Sequence, residues 1–412
     1  MNSCTKPLIP IVYHYFPHYR AGVNRELIAS RKYEYLFVGA DKAPPEDGIE
    51  CWSHPKDVQF LDTKLYFPLG RSLFQSHVLR LALRRNIHSI IFLGCAEFAT
   101  TWIAAALARL SGKRVYFWTH GWTEPDRGLK KYFRMAFYRL ANVLLLYGHH
   151  AKKIGLECGI RPERMHVIFN SLDYKVQMEA CETVKEGDLP AIRAAFFGGQ
   201  AARPMLICTG RLIPMRHLDL LLDAMKYLDQ EGFPVNLLLI GDGPGRSALK
   251  SQAEQNHLSV HFYGPCYDET LLASFFMAAD LLAMPGRIGL AAMHSLAYGT
   301  PVVVHDNPYD QGPEWEAIIP GFNGAHFAHA DSRDLARVLR QWLEKAPDRK
   351  LIRTRCREVI EKFYNPATQV ELIERALDGE PADDSAWDEF RRRRLVLLAE
   401  KIESQLTVKD DL

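Results

Sequence analysis

The fold is decided by the stretch Met205-Leu-Ile-Cys-Thr-Gly-Arg211-Leu, followed by Leu237-Leu-Leu-Ile-Gly241-Asp-Gly-Pro and by Gly286-Arg-Ile-Gly-Leu-Ala-Ala-Met-His294. Each segment ends a strand with glycine and then opens a helix. Unpaired backbone N–H groups at the helix starts therefore face the carboxyl edge of the predicted sheet. An anionic ligand such as a diphosphate suits that edge.

Length, charge and cysteine spacing limit the class of protein. With 412 residues the chain is too long for one ordinary core, which predicts two domains of roughly 150 to 200 residues each. The 51 basic and 49 acidic residues nearly cancel, so nucleic acid is not an expected partner. The eight cysteines include no Cys-x-x-Cys pair, which argues against a zinc ribbon or disulfide framework and favours the cytoplasm. The sequence shows neither the pattern of a signal peptide nor an apolar run of about 18 residues, so we expect a soluble or peripheral protein.

Short apolar strands alternate with helix-length amphipathic segments in both halves of the chain. This alternation predicts an α/β fold of two Rossmann-like domains with mostly parallel sheets. The predicted strands are Leu8–Tyr13, Tyr35–Val38, Ser89–Leu93, Val115–Trp118 and Val143–Leu146 in the first half, and Leu206–Thr209, Val235–Ile240, Val260–Phe262, Leu281–Met284 and Val302–Val304 in the second.

Composition suggests where the domains divide. Residues 170–204 are rich in glycine, proline and charge and predict a linker, so the N-terminal domain is placed at 1–195 and the C-terminal domain at 196–360. A helix at 361–380 is expected to cross back to the N-terminal domain. Residues 381–412 form a basic, amphipathic tail, for which two hypotheses stay open: a helix docked on its own domain, or an interfacial helix on acidic lipid.

Arg211 and Arg216 lie five residues apart between a predicted strand and a predicted helix. Arginine suits a diphosphate because its planar guanidinium donates in pairs and stays charged. The alternative is two surface arginines at a helix start. The nearby Gly241-Asp-Gly-Pro-Gly245 lacks the spacing of a dinucleotide fingerprint, and a tight turn explains it equally well.

These segments together resemble the family 4 glycosyltransferases, which have the GT-B fold of two facing Rossmann-like domains. The resemblance rests on Gly210-Arg211-Leu, Leu239-Ile-Gly-Asp-Gly-Pro244, Val260-x-Phe-x-Gly264, Gly299-Thr-Pro-Val302 and Glu316-Ala-Ile-x-x-Gly321-x-Asn-Gly324. In the first half it is thinner, with Thr119-His120-Gly121 and Val167-Ile-Phe-Asn170-Ser-Leu-Asp173. It implies a nucleotide-sugar donor on the C-terminal domain and retention of anomeric configuration, with the leaving diphosphate helping to deprotonate the acceptor.

Candidate site residues follow by position. The resemblance implies that Arg211 and Arg216 hold the donor diphosphate and that His120 lies in the cleft near the transferred sugar; a histidine capping a strand end is the alternative for His120. The candidate donor-binding residues are Gly210, Gly241, Gly243, Gly264, Arg287, Gly289, Leu290, His294 and Glu316. Aromatic and polar residues at predicted strand ends of the N-terminal domain give Tyr19, Arg20 and Trp122 as candidate acceptor-binding residues.

One motif departs from the family. Its two glutamates, eight residues apart, are replaced by Gly286 and His294. We expect Gly286 to leave room for a different sugar or for Arg287, and His294 to hydrogen-bond a ribose hydroxyl or phosphate. Glu314 or Glu316 is an alternative source of a carboxylate. A pseudoenzyme that binds a nucleotide sugar without turnover therefore remains a second hypothesis.

No metal or other cofactor is expected. No Asp-x-Asp motif is evident near a strand end, and His326-x-x-His329 has no obvious partner ligands, so both are interpreted as loop histidines. The segments 129–139 and 80–85 mix basic and apolar residues at helical spacing. They predict either a surface for acidic membrane or core packing with extended arginines.

The sequence thus predicts a metal-independent glycosyltransferase that moves a sugar from a GDP- or UDP-sugar to a glycan or lipid-linked saccharide, in cell-envelope polysaccharide biosynthesis. We expect it in the cytoplasm, at the inner face of the plasma membrane if the basic helices bind lipid. A GT-B nucleotide-sugar epimerase is a further alternative.

Overall fold

The computed structural model describes residues 6–44, 49–69, 72–345 and 348–395. Within these residues the chain forms two compact units. Unit 1 comprises Met1–Asp173 and Asn365–Asp383, and unit 2 comprises Tyr174–Tyr364 and Asp384–Leu412.

Unit 1 is built on a parallel sheet of seven strands in the order β3-β2-β1-β6-β7-β8-β9. Its strands are β1 (Leu8–Tyr15), β2 (Glu34–Ala40), β3 (Phe60–Asp62), β6 (Ser89–Leu93), β7 (Arg114–Thr119), β8 (Val143–Leu146) and β9 (Met165–Val167), with β4 (Leu65–Leu69) and β5 (Ser72–Gln75) as a separate hairpin. Its helices are α1 (Ala21–Ile28), α2 (Val78–Leu83), α3 (Ala99–Leu110), α4 (Gly128–Leu140), α5 (His149–Glu157) and α14 (Pro366–Asp378). The central strands are mainly apolar because the parallel sheet is buried on both faces.

The helix predicted to return to the N-terminal domain is α14, which belongs to unit 1. Tyr116 donates its hydroxyl to the carbonyl of Ala376 at 3.3 Å, and Ser171 donates to Gln369 at 2.7 Å. Ile373 is fully buried in the same unit. Unit 1 is therefore assembled from two distant parts of the sequence.

Unit 2 contains a parallel sheet of six strands in the order β12-β11-β10-β13-β14-β15. The strands are β10 (Met205–Thr209), β11 (Asn236–Ile240), β12 (Ser259–Gly264), β13 (Leu281–Met284), β14 (Val302–His305) and β15 (Gly324–Phe327). The helices are α6 (Tyr174–Thr183), α7 (Leu189–Phe197), α8 (Leu218–Gln230), α9 (Arg246–Gln255), α10 (Glu269–Ala278), α11 (Ala291–Ala297), α12 (Ser332–Lys345) and α13 (Arg349–Lys362). Because the strands are parallel, their carboxyl ends collect at one edge, where the loops carry the candidate site.

The units divide at Asp173 rather than near residue 195. The predicted linker contains α6 and α7, which pack on α10. Arg193 of α7 fixes this packing through an ion pair of 2.6 Å with Asp280. Pro190 does not break the chain here, because it lies in the first turn of α7, where a helix tolerates proline.

The predicted tail begins as a helix over residues 385–395 that docks on unit 2. Trp387 and Phe390 are buried, and their rings lie 4.9 and 5.1 Å from that of Phe363. Arg394 covers Phe390 and pairs with Glu358. The described part of the tail thus fits the hypothesis of a helix docked on its own domain; residues 396–412 lie outside the described residues. Across the described chain, no helix has the length and apolar content needed to cross a membrane.

Candidate functional site

The loops after β10 and β11 pack backbone against backbone. Gly210 donates its N–H to the carbonyl of Ile240 at 2.9 Å, and a Cβ on Gly241 would lie 1.9 Å from the Gly210 oxygen. Gly241 has φ +133°, which also favours glycine. A Cβ on Gly243 would lie 2.7 Å from the carbonyl oxygen of Leu212. These glycines serve the tight turn, and their contact with a ligand stays a prediction.

Two arginines stand at this edge. Arg211 is exposed, and its guanidinium has no hydrogen-bond or ion-pair partner among the residues described. Arg216 lies over Gly210, where a Cβ would be 3.8 Å from its Nη2. Its Nη1 donates to the carbonyl of Arg287, while its Nε is buried and has no partner within the described ranges. Both predicted phosphate-binding residues thus keep donor capacity at the end of β10.

Gly286 differs from the sequence expectation. A Cβ at this position would lie 2.3 Å from the Met215 carbonyl oxygen and 2.6 Å from Arg216 Cα. Arg287 donates its N–H to the same Met215 oxygen at 3.3 Å. The prediction that Gly286 leaves room for a sugar or for Arg287 is therefore wrong, because the backbone of the turn Pro214–Arg216 fills the space.

Arg287 continues from this turn toward the neighbouring strand. Its Nη2 donates to Asp310 Oδ1 at 3.2 Å, and its Nε is buried. Gly289 and Leu290 are half-buried just before α11, and nothing lies within 4 Å of a Cβ built on Gly289. Gly264 ends β12 with φ +97°, beside Arg246 Nη1.

His294 faces other helices of unit 2. Its Nδ1 lies 3.1 Å from the amide nitrogen of Gln177 on α6, and 3.8 Å from Glu269 Oε2 on α10. Tyr298 donates its hydroxyl to the same Glu269 carboxylate, and burial lowers the pKa of His294. A ribose contact would therefore have to use Nε2, because Nδ1 already faces Gln177. The sequence interpretation missed Glu269, which its position after the β12 loop could have suggested.

Glu314 and Glu316 do not supply an exposed carboxylate. Each is 3% exposed, in the 3₁₀ turn Pro313–Ala317. Both are close enough to Tyr364 to raise the pKa of its hydroxyl further, beyond the larger effect of burial. The donor-binding role predicted for Glu316 is therefore not supported by its position.

In unit 1, His120 follows β7 and lies beside a buried cation. Arg20 donates to the Tyr147 hydroxyl, and its Cζ lies 5.2 Å from the ring centroid of Trp118 and 5.1 Å from that of Tyr147. The His120 ring meets the Tyr147 ring at 4.7 Å. His120 keeps exposed surface, yet burial by the surrounding protein and the Arg20 guanidinium hold its pKa at about 4. The imidazole is therefore neutral at pH 7.

The predicted acceptor residues differ in accessibility. Trp122 is 2% exposed and packs edge-on against Tyr138 at 4.8 Å within the core. It has no surface to offer an acceptor, because α4 and α5 close over it. Arg20 is also buried, and its guanidinium lowers the pKa of His120 in addition to the larger effect of burial. Tyr19 is half-buried beside His18 and keeps partly exposed surface.

The two histidines of His326-x-x-His329 separate. His326 stacks on Trp315 at 5.0 Å, and burial lowers its pKa to about 4. His329 instead joins His305 and Asp310, with one ligand atom of each residue within 4.8 Å of the others. The sequence showed no obvious partner ligands for His329, because these three residues come from separate segments. Metal independence of the activity stays a prediction.

The two Rossmann-like units define the fold class of the protein. The chain is similar in fold to the HepE protein of Anabaena in complex with UDP, with a TM-score of 0.67, 18% identity and coverage of 91% of this chain and 100% of the other. It is also similar to the lipopolysaccharide outer core galactosyltransferase WaaB, with a TM-score of 0.65, 15% identity and coverage of 90% and 98%. The predicted α/β fold of the GT-B class is confirmed.

Sequence comparison finds a family match in unit 2. Residues 194–363 match the family described as glycosyl transferases group 1. The chain is 34% identical over 151 residues to a glycogen synthase of Halorhodospira halophila, covering 35% of this chain and 31% of that one. It is 37% identical over 103 residues to a GDP-mannose-dependent phosphatidylinositol dimannoside mannosyltransferase of Mycobacterium tuberculosis, covering 24% and 26%. The chain thus spans about a third or less of the length of these two curated relatives.

Proposed function

We propose that this protein is a glycosyltransferase that moves a sugar from a UDP- or GDP-sugar to a glycan or lipid-linked saccharide, with retention of configuration, in cell-envelope polysaccharide assembly. The observation that carries the proposal is the pair Arg211 and Arg216 at the carboxyl edge of the unit 2 sheet. Among the described residues, one guanidinium is exposed without a partner and the other has a buried donor without an acceptor. Two such donors suit a diphosphate.

The relatives support this choice of donor. HepE is described in complex with UDP and with UDP-glucose, and the mycobacterial relative is described as GDP-mannose-dependent. In the proposed reaction the sugar–phosphate bond breaks and the nucleoside diphosphate leaves. Arg211 and Arg216 stabilise the negative charge that develops on it. His120, neutral at pH 7, can hydrogen-bond a sugar hydroxyl.

A thermal-shift panel of UDP, GDP, dTDP and ADP and their sugars tests the donor site. We expect one nucleotide to stabilise the protein by about 2.7 kcal/mol at 100 times its Kd. In Arg211→Ala the affinity should fall about 10- to 100-fold, since a hydrogen bond to a charged group contributes roughly 1.5–3 kcal/mol.

Arg340→Ala is the matched control. Arg340 lies on α12 and pairs at 3.1 Å with Glu231, which follows the end of α8, away from the β10 loop. This variant should bind the nucleotide like the wild type. Equal loss in both variants, or no stabilisation of the wild type by any nucleotide, would contradict the assignment.

A non-catalytic nucleotide-sugar-binding protein is the second candidate. It is favoured by Gly286, where the backbone of Arg216 excludes any side chain, and by His294, whose Nδ1 already faces Gln177. The two functions differ in turnover. Release of free nucleoside diphosphate from the stabilising sugar nucleotide, by transfer or slow hydrolysis, supports the transferase; tight binding without release supports the second candidate.

A further inference from the structure

His305, Asp310 and His329 meet beside the phosphate-binding candidates of unit 2. His305 is the last residue of β14, in register with Phe327 at the end of β15. His329 follows β15 by two residues, and Asp310 ends the 3₁₀ turn Pro308–Asp310 that follows β14. Parallel strands bring these three segments to the same carboxyl edge.

His305 has no explanation as a packing residue. It is fully buried, and neither ring nitrogen has a hydrogen-bond partner in the part of the chain that is described. A buried polar group without a partner is costly, and buried imidazoles are normally hydrogen-bonded or ligated. Its ring centroid lies 4.6 Å from that of His329. The unpartnered ring therefore faces the other two members of the cluster.

The distances suit a small cation. One ligand atom from each of the three residues lies within 4.8 Å of the others, and His329 Nε2 is 3.5 Å from Asp310 Oδ2. Two ligands bound at about 2.0–2.1 Å in tetrahedral geometry are about 3.4 Å apart. The His329–Asp310 pair already has nearly that separation, so only the His305 side must close, by at most about 1.4 Å (from 4.8 to about 3.4 Å).

From this geometry we propose that His305, Asp310 and His329 form a binding site for a divalent transition metal ion of the Zn²⁺ type. Two imidazoles and one carboxylate favour such an ion over Mg²⁺ or Ca²⁺, which prefer oxygen ligands. Three protein ligands leave a fourth position for water. The site is separate from the two arginines assigned to the diphosphate.

The surroundings support the ligating forms of the three side chains. Burial, with His329 and His217 nearby, lowers the pKa of His305 to about 4, so its imidazole is neutral at pH 7. Asp310 Oδ1 accepts from Arg287 at 3.2 Å, which leaves Oδ2 for the ion. Asp306 accepts the N–H of His329 at 3.0 Å and so fixes the backbone of that ligand. Such outer contacts are typical of metal sites.

Metal binding is measured directly on the full chain after treatment with a chelator and its removal. Zn²⁺ is titrated in competition with a chromophoric chelator, and Co²⁺ is added as a spectroscopic probe. We expect one equivalent of Zn²⁺ per chain and Co²⁺ absorption of a four-coordinate site. His329→Gln and Asp310→Asn should each lower the affinity by about tenfold or more.

His326→Gln is the matched control, because His326 is a half-buried histidine of the same strand end that lies outside the cluster. It should keep wild-type affinity. Far-UV circular dichroism and melting curves establish that each variant is folded; the exposed position of His329 makes its variant the safer one. Less than about 0.1 equivalent of bound metal in the wild type, or equal affinity in His329→Gln and the wild type, would overturn the proposal.

Discussion

At the scale of the residue, the most informative side chain of unit 1 is Arg20. Its guanidinium is buried between two aromatic rings, and no carboxylate pairs with it in the described residues. A buried cation without a counter-ion raises the cost of a second positive charge nearby. The neighbouring group is His120, whose pKa is lowered by this repulsion in addition to burial.

We expect Arg20→Met to raise the pKa of His120 above its value of about 4. Burial remains the larger cause of the low pKa, so the new value should still lie below the ordinary 6.5. Methionine keeps an unbranched apolar stem while removing the guanidinium and its charge. The measurement is an NMR titration of the His120 ring protons, assigned by their disappearance in His120→Gln.

Arg25→Met provides the comparison, since Arg25 is a half-exposed arginine of the adjacent helix α1 and pairs with Asp173. Its removal should leave the His120 pKa unchanged. If the pKa of His120 is also about 4 in Arg20→Met, then the Arg20 guanidinium does not contribute to the low pKa.

At the scale of the element, the turn Pro214–Arg216 packs directly against the segment that follows β13. Gly286 permits this because a side chain there would overlap the backbone of Met215 and Arg216. The position that carries a glutamate in the resembled family thus serves packing in this chain.

Gly286→Ala should lower the melting temperature by several degrees, because overpacking costs roughly 1–3 kcal/mol and here the clash is with backbone. It should also weaken nucleotide binding by displacing Arg216. Gly289→Ala is the matched variant, since its Cβ meets nothing within 4 Å. Thermal melts give the melting temperatures of Gly286→Ala and Gly289→Ala. Equal melting temperatures would mean that the turn moves aside without loss of stability.

The sequence predicted some elements closely and others not at all, for physical reasons. Ser89–Leu93, Val143–Leu146 and Leu281–Met284 were predicted with the observed limits, because buried parallel strands are uninterrupted apolar runs. The three-residue strand β3 is too short to show an alternation of apolar and polar residues. The helices α6 and α7 were missed because the charged residues and proline of this segment predicted a linker.

The candidate site was predictable only where its residues are neighbours in sequence. Arg211 and Arg216 follow one strand and were found from their spacing. The cluster of His305 and His329 was missed because its members follow different strands, whereas the adjacent His326 turns toward Trp315. Contacts between residues of different strands depend on the register of those strands, which cannot be determined from the spacing of residues along the chain.

At the scale of the whole molecule, the formal net charge of only +2 does not predict membrane binding. The local composition of α4 does. On α4, Leu129, Tyr132 and Phe133 are 86%, 73% and 58% exposed, beside the exposed Lys131, while Met135, Phe137 and Tyr138 fill the core. One face of the helix therefore packs and the other suits an interface with acidic lipid.

We expect the protein to co-sediment with vesicles containing acidic phospholipid and less with neutral ones. Leu129→Ser combined with Phe133→Ser should lower the bound fraction severalfold, because about 0.8 kcal/mol is lost for each CH₂ no longer buried in lipid. Leu110→Ser is the control, as Leu110 is equally exposed, at 86%, but lies at the end of α3 beside the far end of α4. Equal recovery with neutral and acidic vesicles would remove membrane attachment from the proposed function.

The bond from Arg216 to residue 287 has a consequence for how this protein can change over evolutionary time. The acceptor is a main-chain carbonyl, whereas the contact with Asp310 uses the side chain of the same residue. Any amino acid at position 287 would still present the carbonyl. Mutations at position 287 can therefore change the side-chain contact with Asp310 without removing the carbonyl that accepts from Arg216. Selection can act on these two contacts of one residue separately.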